Sequence, residues 1–563
     1  MSQTDDLFLD SGELAVPVPF VSGVTIADYL IRRLQDYGIE HVFGIPGDYV
    51  LAFYAQLCKS PIQVVGCTRE DNAGFAADAY ARVHGMGAIC VTYCVGGLSV
   101  CNAIAGAYAE KSPVVVITGS PGMSERVNNP LLHHRVSSFR TQLEVFEKLC
   151  VAATELSDPL TAFREIDRVL HAVARYKRPG YIEIPRDMVR VVPDVPYRYA
   201  YPQPASDPEA LAEAADEAAA LIAKAQRPVI LAGVEIHRFG LADLVTEFAE
   251  QTQIPIAATL LGKSAIRETH PLYVGLYEGA MSRDEVTKFV EDSDLVLLLG
   301  EFMTDINLGI FTAKLEPSRS ILANSEVLQI RRHRFDDVLM ADFIQELIKR
   351  RPQAAERAIP HRREAREKFV LQPAAPITIA RLFARLNEAL NDDTIVIADV
   401  GDALFGASDL VIRQRTEFLS PAYYTSMGFA VPATLGASFA RKGVRVIAIV
   451  GDGAFQMTGM ELSTLVRYGF DPIIIVLDNK GYGTERFLHP GEFNDIQPWQ
   501  YHLLPKVVGG GTGYEVRTEG EFEDALSKAL ADRSGLSLIQ VHIGEEDVSI
   551  ALERLADKLS KRV

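Results

Sequence analysis

Two short, almost wholly apolar runs, 444–450 (VRVIAIV) and 473–477 (IIIVL), each stop at residues that carry oxygen ligands. The first stops at Gly451-Asp452-Gly453, the second at Asp478-Asn479-Lys480-Gly481. Runs of this length and composition are strands buried on both faces, as in a parallel sheet covered by helices. Between them, Gly459-Met-Glu-Leu-Ser-Thr-Leu-Val places apolar residues at helical spacing. The stretch is therefore predicted to be a β-α-β unit whose two strands end at the ligand-binding edge of an open α/β sheet. Asp452 offers a carboxylate, Asn479 an amide carbonyl and Gly481 a backbone carbonyl. Hard oxygen donors of this kind suit Mg2+, and so few of them leave places for phosphate oxygens and water. Gly451 and Gly453 are expected to let a diphosphate approach the backbone, and the helix start to supply N–H donors. Either motif alone reads equally as a solvated Asp or a turn Asn; the pair at this spacing favours a site.

The same alternation extends along most of the 563 residues, too many for one core, so about three domains are expected. A helix capped at Thr25 is followed by strands at 41–44, 62–67, 89–93, 114–118 and 181–184, with a small-residue helix at 72–82. Proline- and tyrosine-rich 192–208 and charged 349–376 read as linkers. The expected organisation is an acidic arm at 1–23, then α/β domains at 24–191, 209–348 and 377–563, each a doubly wound parallel sheet. Gly509-Gly-Gly-Thr-Gly513 imitates a dinucleotide loop but follows no buried strand, so it is read as a plain loop.

Gly451-Asp452-Gly453, then 24 residues, then Asp478-Asn479 resembles the signature of thiamine-diphosphate enzymes such as pyruvate decarboxylase and acetolactate synthase, whose second motif usually ends Asn-Asn. The resemblance covers the chain from about Val24 onward. It implies three domains that bind the pyrimidine ring (first) and the diphosphate with Mg2+ (third), flanking a middle one. It implies that Glu70 is the carboxyl group beside the aminopyrimidine ring, and that Asp48, His133, His134 and Glu485 handle protons in the decarboxylase branch. Carboligases such as acetolactate synthase lack the histidine pair. By the same resemblance Met427 wedges the bent cofactor, the Thr425 carbonyl receives its 4′-amino proton, and Thr92 lies in the pocket. Cys94 stands where relatives often carry Gly, and Thr484, Leu404 and Phe405 are substrate-pocket candidates. Read singly, Glu70 is a helix-dipole carboxylate, His133-His134 an exposed loop pair without the further ligands zinc needs, and Met427 a core methionine.

The activity so implied is non-oxidative decarboxylation of a 2-oxo acid to the aldehyde and carbon dioxide, with thiamine diphosphate and Mg2+ as cofactors and the organic cofactor as electron sink. Thr484 replaces the Ile or Val typical of pyruvate and branched-chain enzymes, which favours phenylpyruvate or indolepyruvate. A pyruvate or branched-chain preference is the alternative, and an acetolactate synthase-type carboligase or a noncatalytic scaffold stands further off. The resemblance also implies a homo-oligomer with active sites at the dimer interface, a homotetramer.

A formal charge of −18 argues against nucleic acid and anionic membrane as partners. No apolar run reaches transmembrane length, and the first residues (Asp5, Asp6, Asp10, Glu13) lack a basic leader, so a cytoplasmic location is expected. Cys58, Cys67, Cys90, Cys94, Cys101 and Cys150 form no CxxC pair and are expected to be reduced, buried thiols.

Overall fold

The computed structural model describes residues 21–201, 204–359, 369–413 and 417–559, so all but three residues of the acidic arm lie outside it. Of those three, Val21 forms an antiparallel bridge with Tyr197, within the first expected linker.

Three sheets follow one another along the chain. The first has the order Gln63–Gly66, His41–Gly44, Gly87–Val91, Val114–Ser120, Gly180–Pro185, Ala152–Glu155, with every pair parallel. The third has the order Glu417–Leu419, Thr394–Ala398, Arg445–Gly451, Ile473–Asp478, Ser537–His542, Thr512–Val516, again all parallel. The middle sheet has seven strands and departs from the expected all-parallel form at one edge. There Ser320–Ala323, Leu328–Ile330 and His333–Phe335 run as an antiparallel meander. Asn324 Oδ1 accepts from the backbone N–H of Glu326 and Val327 at 2.9 and 2.8 Å, closing a turn too short for a parallel crossover.

Local chemistry sets the helix starts. Thr25 Oγ1 accepts from Asp28 N at 3.1 Å at the head of Ile26–Asp36. Pro208 is not linker but the first residue of helix Pro208–Lys224, capped by Asp207, because proline lacks only a donor that the first turn leaves unused. The central β-α-β unit also differs from expectation. The helix begins at Asp452 itself, with Gly451 in extended conformation as its cap, and Gly459–Glu461 is a 3-10 turn inside the helical stretch rather than its start. Gly509 and Gly511 have φ of 87° and 93°, values that only glycine takes without strain, and they form the expected loop.

One hydrophobic core serves both the first and the third sheet: Phe43, Ile89 and Val116 pack in the same cluster as Ile397, Val450 and Val476. Helices Glu70–His84 and Ala430–Ala440 form the seam between them. Their backbones approach so closely that a Cβ at Gly436 would overlap the carbonyl of Ala76. All six cysteines are free; Cys90, Cys94 and Cys150 are buried as expected, whereas Cys58 is exposed. Among the described residues no helix is long and apolar enough to cross a membrane.

Candidate active site

The C-terminal ends of the first sheet's strands gather one group of predicted residues. His41–Gly44 leads into Asp48, and the segment after Val114–Ser120 carries His133 and His134. His133 Nε2 lies 2.8 Å from Asp48 Oδ2, and its ring stacks on Tyr49 with centroids 4.7 Å apart. His134 meets His133 edge-on at 4.9 Å. It sits at φ 65°, an uncommon conformation for a residue with a side chain, and its buried Nδ1 has no hydrogen-bond partner. Asp48, His133 and His134 each bring one polar atom to within 4.8 Å of the others, so the three form a single cluster that can share and relay a proton.

Thr92 directly follows the neighbouring strand, Gly87–Val91. It is buried, its Oγ1 has no partner, and a Cβ at Gly47 would lie 2.5 Å from its own Cβ. Glycine at 47 is thus required for the Asp48 loop to pass Thr92. Two residues on, Cys94 has φ 47° and ψ −67°, a tight γ-turn in which Val95 N donates to Tyr93 O at 2.6 Å. Gln142 Oε1 holds that strained turn by accepting from Cys94 N at 2.7 Å. Glu70 is the first residue of its helix, half-buried, and its carboxylate accepts from Ser99 Oγ at 3.2 Å.

The third sheet's edge gathers the other group. Asp452 is buried; its Oδ1 accepts from Gly453 N at 2.7 Å and its Oδ2 from Gly481 N at 3.1 Å. Burial, with Asp478 adding repulsion, pushes its carboxyl up to about 7. The Asn479 amide oxygen faces the Gly481 carbonyl at 2.8 Å and Asp452 Oδ1 at 3.3 Å. Three acceptors converging in this way are what a divalent cation binds; without one, turning the amide over lets its NH2 donate to both oxygens. A Cβ at Gly481 would overlap the carbonyl of Asn494, which makes that position a glycine. The expected role of the two motif glycines divides. A Cβ at Gly451 would meet open space, so the backbone there is accessible, but Gly453 is glycine because the Tyr482 ring packs against it.

The departure at Asp478 has a structural reason. Its Oδ2 accepts from Gln540 Nε2 at 2.7 Å and pairs with His542 Nδ1 at 3.0 Å, and His542 Nε2 reaches Glu515 at 2.8 Å. The row Asp478, His542 and Glu515 therefore crosses three adjacent strands beside Asp452 and Asn479.

Thr425 has φ 54°, a strained value for a β-branched residue, and Met427 packs half-buried against the shared core. Sequence reasoning missed what holds them. Glu110 accepts from the backbone N–H of Tyr423 and Tyr424, and Asp399 accepts from Gly428 N and Ala430 N at 3.1 and 2.8 Å. Burial pushes Asp399 up to about 6. Neither carboxylate lies in a recognisable motif; the signal for Asp399 is only its place at a strand's C-terminal end.

Of the pocket candidates, Thr484 is partly exposed, and its Oγ1 would lie 3.3 Å from a Cβ at Gly401. Leu404 is packed inside the third core, and Phe405 is buried against Met281 and Leu552. Glu485 is exposed on helix Gly483–Leu488. Among the described residues no hydrogen bond or ion pair links Asp48, Glu70, His133 or His134 to Asp452, Asn479 or Glu485. The first group has side chains suited to proton transfer and the second has donors suited to a cation and an anion, and the unpaired Thr92 hydroxyl, accessible Gly451 backbone and convergent oxygens fit a diphosphate cofactor with its cation.

Comparison with known proteins agrees with that chemistry. Three family models match: "Thiamine pyrophosphate enzyme, N-terminal TPP binding domain" over residues 24–142, "central domain" over 215–350 and "C-terminal TPP binding domain" over 399–541. The chain is 37% identical over 536 residues to an indole-3-pyruvate decarboxylase of Azospirillum brasilense, covering 94% of this chain and 97% of that one. It is 34% identical over 538 residues to an alpha-keto-acid decarboxylase of Mycolicibacterium paratuberculosis, covering 92% and 93%. It is also 34% identical over 551 residues to one of Mycobacterium tuberculosis, covering 95% and 97%. With TPP-binding domain models matched over the first and third sheets and likeness along nearly its whole length, the chain belongs to the thiamine-diphosphate-dependent 2-oxo acid decarboxylases.

Proposed function

We propose that the chain decarboxylates an arylpyruvate, phenylpyruvate or indolepyruvate, to the aryl acetaldehyde and carbon dioxide. The observation that carries the substrate preference is Thr484, a small, partly exposed side chain beside Gly401 where a bulkier residue would narrow the pocket. The name of the Azospirillum relative points the same way.

Thiamine diphosphate, when bound, supplies the electron sink for loss of carbon dioxide. Asp452, Asn479 and the Gly481 carbonyl would hold the cation, which we assign as Mg2+, and Glu70 would present its carboxyl group to the pyrimidine. The reaction consumes one proton, placed on the former carbonyl carbon of the substrate. Asp48 Oδ2 and His133 Nε2, 2.8 Å apart, with His134 beside them, store and deliver it. Glu485 closes the site from the third sheet.

Because the two residue groups are unlinked within one chain, we further propose that each site is completed by a second copy, in a homodimer that pairs into a homotetramer. Exposed apolar residues flank both groups: Val95, Val127 and Leu131 by the first, Met457 and Met460 by the second. We place this assembly in the cytoplasm and the three functional domains at 24–191, 209–348 and 377–563. The deciding assay compares kcat/KM for phenylpyruvate, indolepyruvate, a branched-chain 2-oxo acid and pyruvate, with carbon dioxide and aldehyde both measured. A clear pyruvate or branched-chain preference, or acetolactate as product, rejects the arylpyruvate reading.

A further inference from the structure

The Asp48–His133–His134 cluster is also a set of metal ligands. The sequence offers the histidine pair with no further His or Cys at zinc spacing, and the fold supplies the third ligand, Asp48, from 85 positions away. Two imidazoles and one carboxylate each bring one ligand atom to within 4.8 Å of the others. That is the donor set of a site with three protein ligands and a fourth place left to water. The surroundings hold it. Arg135 ties the histidine loop on both sides, donating to the carbonyls of Asn129 and Pro130 at 3.1 and 2.7 Å and to that of Ser137 at 3.1 Å. The Tyr49 hydroxyl faces His133 Nδ1 at 3.4 Å, so Nε2 is the nitrogen turned to Asp48. Arg186 lies 3.9 Å from Asp48 Oδ2 and is held by Glu125 at 2.7 Å, which leaves the Asp48 carboxylate available to a metal.

We propose that the cluster is a binding site for Zn2+, with Asp48 Oδ2, His133 Nε2 and a ring nitrogen of His134 as ligands and water in the fourth place. Donor type selects the ion. Imidazole suits Zn2+ and not Mg2+, so this site and the all-oxygen set of Asp452, Asn479 and Gly481 take different metals. Ligands at about 2.0–2.1 Å from a tetrahedral zinc lie about 3.4 Å from one another. The 2.8 Å contact between Asp48 and His133 therefore opens by about half an ångström, an adjustment open to side chains that are 42% and 59% exposed, while His134 is drawn in. Binding expels the proton that Asp48 and His133 share, since a ligating atom has to be free of it. This step rests on the reading that the cluster supplies the proton to the product carbon. On that reading Zn2+ stops turnover while cofactor and Mg2+ stay bound.

The test is titration of the holoenzyme, saturated with thiamine diphosphate and Mg2+, by Zn2+ in a calorimeter and by Co2+ in a visible spectrometer. Expected are one bound ion per chain and a tetrahedral cobalt spectrum without a thiolate charge-transfer band. Turnover should fall in step with occupancy and return when a zinc-selective chelator is added. His133→Gln and His134→Gln should each weaken Zn2+ binding by at least about tenfold, whereas Cys58→Ser, which removes the exposed thiol, should leave it unchanged. No saturable binding, a thiolate band, release of Mg2+ or cofactor as Zn2+ binds, or unchanged affinity in both histidine variants overturns the proposal. The first three are read on wild-type protein, so they hold even where a variant fails to fold. Binding without loss of turnover would support the metal site and count against the proton-store reading, whereas absence of binding sinks the site and leaves that reading standing.

Discussion

Glu110 and Tyr424 lie 314 positions apart in sequence, yet the Glu110 carboxylate accepts from the Tyr424 backbone N–H at 2.8 Å. The same oxygen accepts from Tyr423 N at 2.6 Å, and Arg82 approaches the other oxygen at 3.8 Å. The next residue, Lys111, pairs with Glu235 of the middle sheet's helix Val234–Arg238 and with Glu326 at 3.0 Å. Two consecutive residues of the first unit thus hold the segment that enters Thr425 and Met427 and brace it against the middle one.

Glu110→Ala leaves the part-buried Tyr423 and Tyr424 N–H groups without their acceptor, while Arg82 keeps Asp78, a loss of about 1–3 kcal/mol in urea unfolding. It should also weaken cofactor binding, because Thr425 is strained and depends on its surroundings to stay at positive φ. Unchanged cofactor affinity in a folded variant would show that the bonds serve stability alone.

Asp452→Ala and Asn479→Ala should each reduce divalent-cation affinity by at least about 100-fold. The single tryptophan, Trp499, reports this. Its ring lies 6.0 Å from Tyr501, whose hydroxyl accepts from Gln456 on the Asp452–Thr458 helix. Titration of apoprotein with Mg2+ and thiamine diphosphate should change its fluorescence in wild type and hardly at all in either variant.

Asp48→Asn keeps the size of the side chain but removes the carboxylate that faces His133 Nε2, and should lower kcat by about 10²–10⁴ with a smaller change in cofactor affinity. Single-turnover measurement of carbon dioxide and aldehyde separates the steps. If the cluster supplies the proton, release of the aldehyde slows more than loss of carbon dioxide.

Glu301 predicts a pH effect on stability. Burial raises its carboxyl to about 8 from 4.5, outweighing the bonds from Thr259 and Asn307. The native state therefore holds this proton more tightly than the unfolded chain does. Stability from this group is fully present below pH 4.5 and is lost as pH rises toward 8, at up to about 1.4 kcal/mol per pH unit. Glu301→Gln should flatten that part of the thermal-unfolding profile, measured between pH 5 and 9; an unchanged slope would assign it to other buried carboxyls such as Glu183.

The strands of the first and third sheets are legible in the sequence because their burial on both faces leaves continuous apolar runs, as at 444–450 and 473–477. Each run ends where the sheet edge begins, so Asp452 and Asn479 are legible with them. The antiparallel meander of the middle sheet is not, since strands of three residues are too short to show a period. Glu110, Asp399 and the Asp478–His542–Glu515 row are also hidden. Each is defined by a partner on a different element, and nothing local distinguishes a carboxylate that holds a distant loop from one that faces water. Cys94 is intermediate: its place beside Thr92 is legible, but the γ-turn depends on Gln142, 48 residues away.

At Gly436 the absence of a side chain is itself the joint between two halves of an enzyme. Helices Glu70–His84 and Ala430–Ala440 touch there through bare backbone, with less clearance than one methyl group. Surface drift on either half leaves that contact alone, but a chimera that takes one helix from a relative and keeps the other inherits whatever misfit the two bring. Module exchange in this chain should therefore move both helices together, even though more than 300 residues separate them.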